Sequence, residues 1–408
     1  MNLPKGWKEI KLSDIASHRT IKNKDSKYTE TYTNSAMQGI VRQTEYFDKE
    51  ISNKENIADY YLVEENDYVY NPRISAAAPC GPISKSHFKE TGIMSPLYTV
   101  FRITSKNFTD DYLEQYFKSH FWHSYMKSVA NNGARYDRMN ITTEDFFNIP
   151  VPFPPLPEQE KIARILSAQD KVIALKQKLL QEKQQQKKYL MQKLLGADGA
   201  SFMLDDVKID KSGWKKESIK KISKNIFAGA TPATKIGKYW GGNISWMSSG
   251  EINKKIIYET DEKITLQGYE SCSTKLVPER CVLVALAGQG KTRGMVGINE
   301  ISLCTNQSLA TIIPEKVDYK YLYHFLDSKY LDLRKISSGD GTRGGLNLDI
   351  ISNYVIYLPS LPEQQVIAKV LSAADKEIEL LQKSIEQEKQ KKKALMQLLL
   401  TGIVRVKI

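Results

Sequence analysis

At 408 residues, the chain is too long for a single ordinary domain and has the length of two to four. Apolar residues make up 41% of it, which lets each half bury a core and excludes wholesale disorder. The 59 basic and 47 acidic residues leave a net charge of +12, which favours a polyanionic partner such as nucleic acid.

The cysteine pattern and the hydropathy argue against a metal site and a membrane segment. The cysteines are Cys80, Cys272, Cys281 and Cys304. They form no C-x-x-C pair and have no histidine at zinc-ligand spacing, so we expect small buried residues in a reducing compartment. The N-terminus lacks the apolar core of a signal peptide, and the longest apolar run is far shorter than a membrane span. These features predict a soluble, cytoplasmic protein without a metal or cofactor.

Residues 1–155 are predicted to form a first head of mixed α and β structure. Residues 97–103 (LYTVFRI) favour a strand, and residues 110–128 favour helix. Residues 131–140 (NNGARYDRMN) combine two arginines, a tyrosine and several amides, which are the groups that contact phosphates and base edges. An ordinary polar surface loop is the alternative interpretation of that segment.

The next segment, residues 156–196, is predicted to be one long helix. Pro157 suits the first helical turn, where a missing N–H costs nothing, and Glu158 places negative charge at the positive end of the helix dipole. Gly196 lies just past the last apolar residue, where a left-handed cap is needed. A helix of about 38 residues is roughly 57 Å long at 1.5 Å per residue.

Residues 197–360 are predicted to form a second mixed head, with helical stretches near residues 318–334. The segment Ala285–Thr292 (ALAGQGKT) follows a strand-like run and meets the loose form of the phosphate-binding loop pattern. The residues that follow it, RGMVGIN, place two glycines where the phosphate-binding helix should begin. A Gly-rich loop that presents Lys291 and Arg293 is therefore favoured, and a nucleotide-dependent DNA enzyme is kept as the alternative function.

Residues 361–408 complete an internal repeat. With an offset of 205, residues 361–400 match residues 156–195, and 23 of the 40 aligned positions carry the same residue. The heads also share a frame, because Gly6-Trp7 begins the first and Gly213-Trp214 begins the second. The residues inside the two heads differ almost completely, as expected for paired recognition heads with different targets.

Apolar residues recur at heptad spacing in both long segments, which predicts that each helix has a partner helix. The obvious partner is the other copy, packed as an antiparallel coiled coil with pseudo-two-fold symmetry and a head at each end. Polar residues interrupt the heptad pattern at the same place in both copies. They are interpreted either as a solvated or register-fixing stretch or as a surface that contacts another molecule. The fold class is therefore α+β, with two mixed α/β domains in tandem, each followed by a long helix. The candidate partner-binding residues are Leu166, Ile173, Leu180, Leu371, Ile378 and Ile385.

The chain combines four sequence features: the L-P-E-Q turns at residues 156–159 and 361–364, the helices after them, the Gly-Trp starts and the TNQS run at residues 305–308. With the duplication, they closely resemble the specificity subunit of type I restriction-modification enzymes over nearly the whole chain. The resemblance implies a non-catalytic subunit that reads double-stranded DNA, with one target-recognition domain for each half of a split, asymmetric sequence. It also implies that the helices fix the gap and dock two methyltransferase subunits, and that restriction (translocase) subunits join them.

The candidate DNA contacts are cationic and aromatic side chains in the loops of the two heads. They are Arg73, Arg135, Tyr136 and Arg138 in the first head, and Lys291, Arg293 and Arg343 in the second. Whether each one contacts a base edge or a phosphate is left open. No catalytic residue is expected, and a purely structural coiled-coil adaptor is a third hypothesis.

Overall fold

A computed structural model describes residues 3–46, 54–131, 137–196, 201–288, 290–336 and 345–408. Its contacts divide the chain into two units, Met1–Gln177 with Ser384–Ile408, and Lys178–Lys383. Each unit therefore combines one head with part of each long helix. The predicted division into four consecutive segments follows the chain rather than these contacts, and it stays a prediction.

In the first unit, the described strands form four small antiparallel sheets, in the orders β1-β10, β2-β9-β6-β7, β3-β4 and β5-β8. The strands are β1 Lys8–Lys11, β2 Ala16–His18, β3 Tyr32–Ser35, β4 Gly39–Arg42, β5 Tyr61–Val63, β6 Tyr68–Tyr70, β7 Ile83–Lys85, β8 Gly92–Met94, β9 Thr99–Ile103 and β10 Pro150–Phe153. The helices are α1 Gln43–Tyr46, α2 Asp110–Phe117, α3 His123–Val129, α4 Thr143–Phe147 and the first part of α5 Leu156–Leu195.

The first head is built around β6, which is buried on both faces. Side chains alternate across a strand, so Tyr68 and Tyr70 lie in the aromatic core with Phe101, and Val69 lies in a second cluster with Val100. The Tyr68 and Phe101 rings stack with centroids 5.1 Å apart. A strand that is buried on both faces has a continuous apolar sequence, and residues 68–70 (YVY) have such a sequence.

In the second unit, the described strands form a five-stranded sheet in the order β14-β21-β18-β19-β16, a three-stranded sheet in the order β17-β15-β20, and the pairs β11-β12 and β13-β22. The strands are β11 Phe202–Leu204, β12 Val207–Ile209, β13 Lys215–Ser218, β14 Ser223–Ala228, β15 Trp240–Met247, β16 Ile256–Ile257, β17 Glu262–Ile264, β18 Val282–Ala285, β19 Val296–Asn299, β20 Cys304–Thr305, β21 Leu309–Pro314 and β22 Val355–Leu358. The helices are α6 Ile219–Ile222, α7 Leu266–Glu270, α8 Tyr319–Ser328, α9 Tyr330–Ile336, α10 Leu348–Asn353 and α11 Leu361–Leu400, which ends in the first unit.

The second head repeats this construction around β18. Val282 and Val284 lie in the core that contains Phe325 of α8, whereas Leu283 and Ala285 lie in a separate cluster on the other face of the sheet. All four side chains are fully buried. Mixed α and β structure in both heads and a long helix after each confirm the predicted fold class.

The two long helices span Leu156–Leu195 and Leu361–Leu400, and they contact each other in antiparallel order within each unit. In the first unit, Gln169 and Lys176 of α5 donate to the Glu388 carboxylate of α11 at 2.7 and 2.8 Å. In the second unit, Lys187 donates to Asp375 at 2.5 Å. The polar interruption is thus paired across the two helices, which favours the register-fixing interpretation. Coiled-coil packing and pseudo-two-fold symmetry stay predictions.

Three of the four cysteines, Cys80, Cys281 and Cys304, are buried as expected, but Cys272 is half-exposed because it follows the short helix α7. Burial raises the pKa of the Cys281 thiol to about 12 and that of Cys304 to about 11, which disfavours reactive thiolates. Within the ranges given above, no helix combines the length and apolar character of a membrane span, and no three metal-ligating side chains cluster.

Candidate nucleic-acid interface

Three loops of the second head meet at one end of its five-stranded sheet. Ala228 at the end of β14 pairs with Ala310 near the start of β21, and Ala285 at the end of β18 pairs with Leu309. In antiparallel strands, one strand ends where its neighbour begins. The segments after β14, after β18 and before β21 therefore lie at the same end of the sheet.

We call these loops, with the described residues 229–239, 286–288, 290–295 and 305–308, the second sheet end. They contain the basic residues Lys235, Lys238, Lys291 and Arg293 and no aspartate or glutamate. Lys235, Lys238 and Lys291 are exposed, and Arg293 is half-buried. A surface with basic side chains and no carboxylate attracts phosphate groups.

Helix α9 holds the loop that carries Lys291. The Tyr330 hydroxyl donates to the Lys291 carbonyl at 2.8 Å, and the Arg334 guanidinium donates to the Gly290 carbonyl at 2.6 Å. Gly294 has φ +84°, and a Cβ atom there would lie 3.3 Å from the Arg334 side chain. These contacts fix the backbone of the loop and leave the Lys291 side chain at the surface.

The phosphate-binding loop alternative finds no support. That motif needs a helix directly after the loop, because the helix N-terminus binds the phosphates. Here β18 ends at Ala285, residues 290–294 form turns, and the next element is strand β19, which begins at Val296. The two strands form an antiparallel hairpin, with Val284 opposite Val296.

Two polar residues of the second sheet end received no role from the sequence alone. The Thr231 hydroxyl donates to the Gln307 side-chain oxygen at 2.7 Å. Gln307 is exposed and Thr231 is half-buried. Their motifs, GATP and TNQS, are visible in the sequence, but the two residues are 76 positions apart, and only the strand pairing brings them together.

The first head has a corresponding arrangement at one end of its four-stranded sheet. Tyr70 at the end of β6 pairs with Thr99 at the start of β9 and with Ile83 at the start of β7. The segments after β6, before β7 and before β9 therefore lie together. We call residues 71–75, 80–82 and 95–98, with residues 137–139 packed beside them, the first sheet end.

The first sheet end brings Arg73 and Arg138 together. The two residues face each other in an isolated antiparallel bridge, and the Met139 N–H donates to the Pro72 carbonyl at 2.8 Å. The Asp137 carboxylate lies 3.8 Å from the Arg73 guanidinium and 4.0 Å from that of Arg138. The Arg73 side chain is 67% exposed and that of Arg138 is 30% exposed, so both can reach a ligand.

A cavity of about 430 Å³ opens beside this pair. Its walls include both arginines, Asn71 and Tyr98, and Tyr98 shares a hydrogen bond of 3.1 Å with the Thr33 hydroxyl. A larger cavity of about 560 Å³ in the same head contains none of the predicted contact residues. The smaller cavity thus gives the first sheet end a polar, cationic concavity.

The remaining predicted residues have different positions. Arg135, Tyr136 and Arg343 lie outside the described residues. Of the candidate partner-binding residues, Leu166, Leu371 and Ile385 are buried within their own units, where the chain itself covers them. Ile173, Leu180 and Ile378 are half-buried.

Comparison with known proteins agrees with the tandem organisation. The profile of the type I restriction modification DNA specificity domain matches residues 4–184 and again residues 211–390. The putative type I restriction enzyme MjaX specificity subunit of Methanocaldococcus jannaschii is 27% identical over 362 residues, 87% of this chain and 82% of the relative. The MjaVIII specificity subunit of the same organism is 25% identical over 429 residues, 100% of this chain and 95% of the relative. The fold matches the S subunit of a type I system from M. genitalium with a TM-score of 0.62 and 14% identity, over 98% of this chain and 96% of that one.

Proposed function

The chain is a specificity subunit of the type I restriction-modification family, and we propose that its two recognition domains each read one half of a split, asymmetric DNA target. The observation that supports this most strongly is that, in each head, loops distant in sequence gather cationic side chains at one end of a sheet. Basic groups neutralise phosphates, while amides and guanidinium groups contact base edges. Because the two sheet ends carry different side chains, the two half-sites differ in sequence.

In this proposal, Arg73 and Arg138 contact the first half-site, and Lys291 and Arg293 contact the second. Arg135, Tyr136 and Arg343 add contacts from the neighbouring loops. A guanidinium group can bind guanine through two hydrogen bonds, whereas a lysine acts mainly as a point charge on phosphate. The arginines are therefore the stronger candidates for reading sequence.

The subunit catalyses no reaction in this proposal and needs no cofactor of its own. Two methyltransferase subunits supply the methyl donor and the chemistry, and restriction (translocase) subunits add cleavage. One methyltransferase subunit docks on α5 of the first unit, where Leu175 is 68% exposed, and the other docks on α11 of the second unit, where Leu380 is 54% exposed. Exposed apolar side chains of this size on a helix suit a protein partner. The half-buried Ile173 and Ile378 lie two residues before Leu175 and Leu380 on the same helices, and the helical pair sets the gap between half-sites.

Mapping of methylated bases tests the proposal. The chain is co-expressed with methyltransferase subunits of a type I system, and the host DNA is sequenced for modified bases. We expect a split, asymmetric motif with a fixed gap, present only when this chain is present. Expression of the methyltransferase subunits alone is the control.

Modification in a short continuous motif, or modification without this chain, would contradict the two-domain proposal. An assembled complex without any sequence preference would instead favour the purely structural adaptor. Cells that express Arg73→Ala separate these outcomes further, because loss of one arginine of the first sheet end should relax or abolish only one half of the motif.

A further inference from the structure

The hydrogen bond between Thr231 and Gln307 gives the second sheet end a side-chain amide of fixed orientation. The Thr231 hydroxyl donates to the Gln307 amide oxygen at 2.7 Å. An amide has one oxygen, which accepts, and one NH₂ group, which only donates. With its oxygen engaged, Gln307 presents the NH₂ group to solvent, and no other hydrogen bond of this side chain is found in the described part of the chain.

The backbone on both sides of this pair is held in place. A Cβ atom at Gly229 would lie 1.8 Å from the Thr305 carbonyl oxygen, so the two segments approach as closely as only glycine permits. The Trp246 indole N–H donates to the Ala230 carbonyl at 3.1 Å, which fixes the residue before Thr231. A hydrogen-bond donor held by rigid surroundings discriminates between ligands better than a mobile donor does, because it loses less conformational freedom on binding.

The surroundings of the pair suit DNA. Lys235 and Lys238 follow Thr231 on an exposed segment, and Lys291 is exposed on the adjacent loop. The Leu286 N–H, at the start of that loop, donates to the Ser308 carbonyl at 2.8 Å, which ties the lysine loop to the residue after Gln307. Lysines on phosphate position a protein on the duplex, and a neutral amide at the same sheet end is placed to contact a base edge.

We propose that Gln307, oriented by Thr231, reads one base pair of the second half-site by donating its NH₂ group to acceptors on a purine in the major groove. A free glutamine pairs with adenine by using both its oxygen and its NH₂ group. Here Thr231 already occupies one of the two acceptor positions of that oxygen and fixes its direction, whereas this hydrogen bond leaves both N–H groups of the NH₂ for a ligand, so the two acceptors of guanine, N7 and O6, match the available donors better. This inference rests on the proposed function, because it assumes that the second sheet end faces DNA.

The test uses the full chain assembled with methyltransferase subunits, with a DNA library randomised at each position of the mapped motif. Gln307→Glu keeps the shape and replaces the donor with an acceptor. Thr231→Val removes the hydroxyl and keeps the shape, whereas Thr231→Ser retains the hydroxyl. We expect Gln307→Glu and Thr231→Val to lower discrimination at one and the same base pair by about tenfold. Thr231→Ser should keep the wild-type preference.

Lys238→Ala is the matched control, and we expect it to weaken binding to all sequences and to reduce the salt dependence. If Gln307→Glu behaves like Lys238→Ala, with a uniform loss of affinity and no change in base preference, Gln307 contacts phosphate and the inference is overturned. Unchanged binding in Gln307→Glu overturns it as well. Retained recognition of the first half-site shows that each variant is folded and assembled. If the wild-type complex itself yields no split motif, the proposed function fails rather than this assignment.

Discussion

Each long helix begins with a glutamate that binds the tryptophan at the start of its head. In the first unit, the Trp7 indole N–H donates to Glu158 at 2.7 Å, and Arg405 donates to the same carboxylate through two nitrogens. In the second unit, the Trp214 indole N–H donates to Glu363 at 3.2 Å. The repeated Gly-Trp and L-P-E-Q motifs are therefore two halves of one contact, which anchors the helix to its own head.

The glutamine that follows this glutamate links the helix to a second part of the head. Gln364 is 2% exposed, accepts the Asp318 N–H at 2.8 Å before α8, and donates to the Pro359 carbonyl at 2.9 Å. We expect Gln364→Ala to lower the free energy of unfolding by about 1–3 kcal/mol, since it leaves the partly buried Asp318 N–H without an acceptor and the Pro359 carbonyl without its buried donor. Urea unfolding of the full chain measures this loss. The neighbouring Gln365 is exposed, so an equal loss in Gln365→Ala would contradict the explanation.

His324 is the buried polar residue at the junction of α8 with the helical pair. It is 1% exposed, with Nε2 3.0 Å from the Ser372 hydroxyl and Nδ1 3.7 Å from the Asp375 carboxylate. Burial, followed by the charges of Lys187 and Lys320, lowers the pKa of its imidazole to about 3. The first unit has Gln115 in the corresponding position, 3.3 Å from the Ser167 hydroxyl.

This lowered pKa predicts a loss of stability in mild acid. Between about pH 6.5 and 3, the unfolded chain binds a proton on His324 that the folded chain does not, so stability falls as the pH falls. The loss by pH 5 is about 2 kcal/mol. We expect His324→Gln, which copies the first unit, to remove this part of the pH dependence. The free energies of unfolding of the wild type and of His324→Gln, each measured at pH 7 and at pH 5, test this expectation. If the difference between the two proteins is the same at both pH values, His324 is not the source of the pH dependence.

At the scale of the elements, the charged pairs between α5 and α11 fix how the helices align. Asp170 and Lys392 form a bond of 2.5 Å in the first unit, and the Lys392 side chain is 14% exposed. Burial alone would raise the pKa of Asp170, but the hydrogen bond and charge of Lys392 outweigh it and lower that pKa. Lys392 therefore stabilises the Asp170 carboxylate in the folded chain, whereas at Lys392 burial outweighs the same pairing and lowers the pKa of the ammonium group.

A double-mutant cycle of Asp170→Ala and Lys392→Ala measures this coupling. We expect a coupling energy of about 1–3 kcal/mol from urea unfolding, because each single change leaves a partly buried charge without its partner. The pair Glu379 and Lys383 is a matched control on the surface of α11, with side chains 45% and 66% exposed. Exposed pairs of this spacing contribute only about 0.3–0.5 kcal/mol. Equal coupling in the two cycles would show that the interhelical pair does not fix the alignment.

The sequence predicted the elements better than it predicted the sites. The existence of α5 and α11 follows from local signals, namely Pro157 in the first turn and the heptad spacing, and the structure has a long helix after each head. The convergence of β14, β18 and β21 depends on strand register between segments far apart in the chain, which no local pattern encodes. The sequence thus nominated Lys291 from its loop composition but could not pair Thr231 with Gln307.

At the scale of the whole molecule, each unit draws on both ends of the helical repeat. The first unit contains the head before α5 and also the end of α11, where Leu399 and Leu400 lie in the same core as Leu166. The second unit contains the remaining part of each helix, and Leu194 lies in one core with Leu371. Any change in the length of one helix must therefore be matched in the other to keep both cores intact.

A matched deletion of one heptad from each helix tests the proposed role of the helical pair in setting the gap. Removal of residues 176–182 and 381–387 keeps the antiparallel order of the paired side chains and the exposed Leu175 and Leu380, and, because it removes seven residues, keeps the same face of each helix toward the other. Seven residues of helix are roughly 10 Å long, which corresponds to about three base pairs. We expect the mapped motif to keep both half-site sequences and to lose up to about three base pairs of the gap.

Deletion of residues 176–182 alone is the control for this experiment. It shifts α5 against α11 and moves Lys187 away from Asp375, so we expect loss of stability rather than a new gap. If the matched deletion yields a folded, assembled complex whose gap is unchanged, the spacing between half-sites comes from the partner subunits or from the DNA itself. A shortened gap with unchanged half-sites would instead assign the spacing to the helices and the sequence preference to the heads. The internal repeat predicts this division, because the two helices share 23 of 40 aligned residues whereas the two heads differ almost completely.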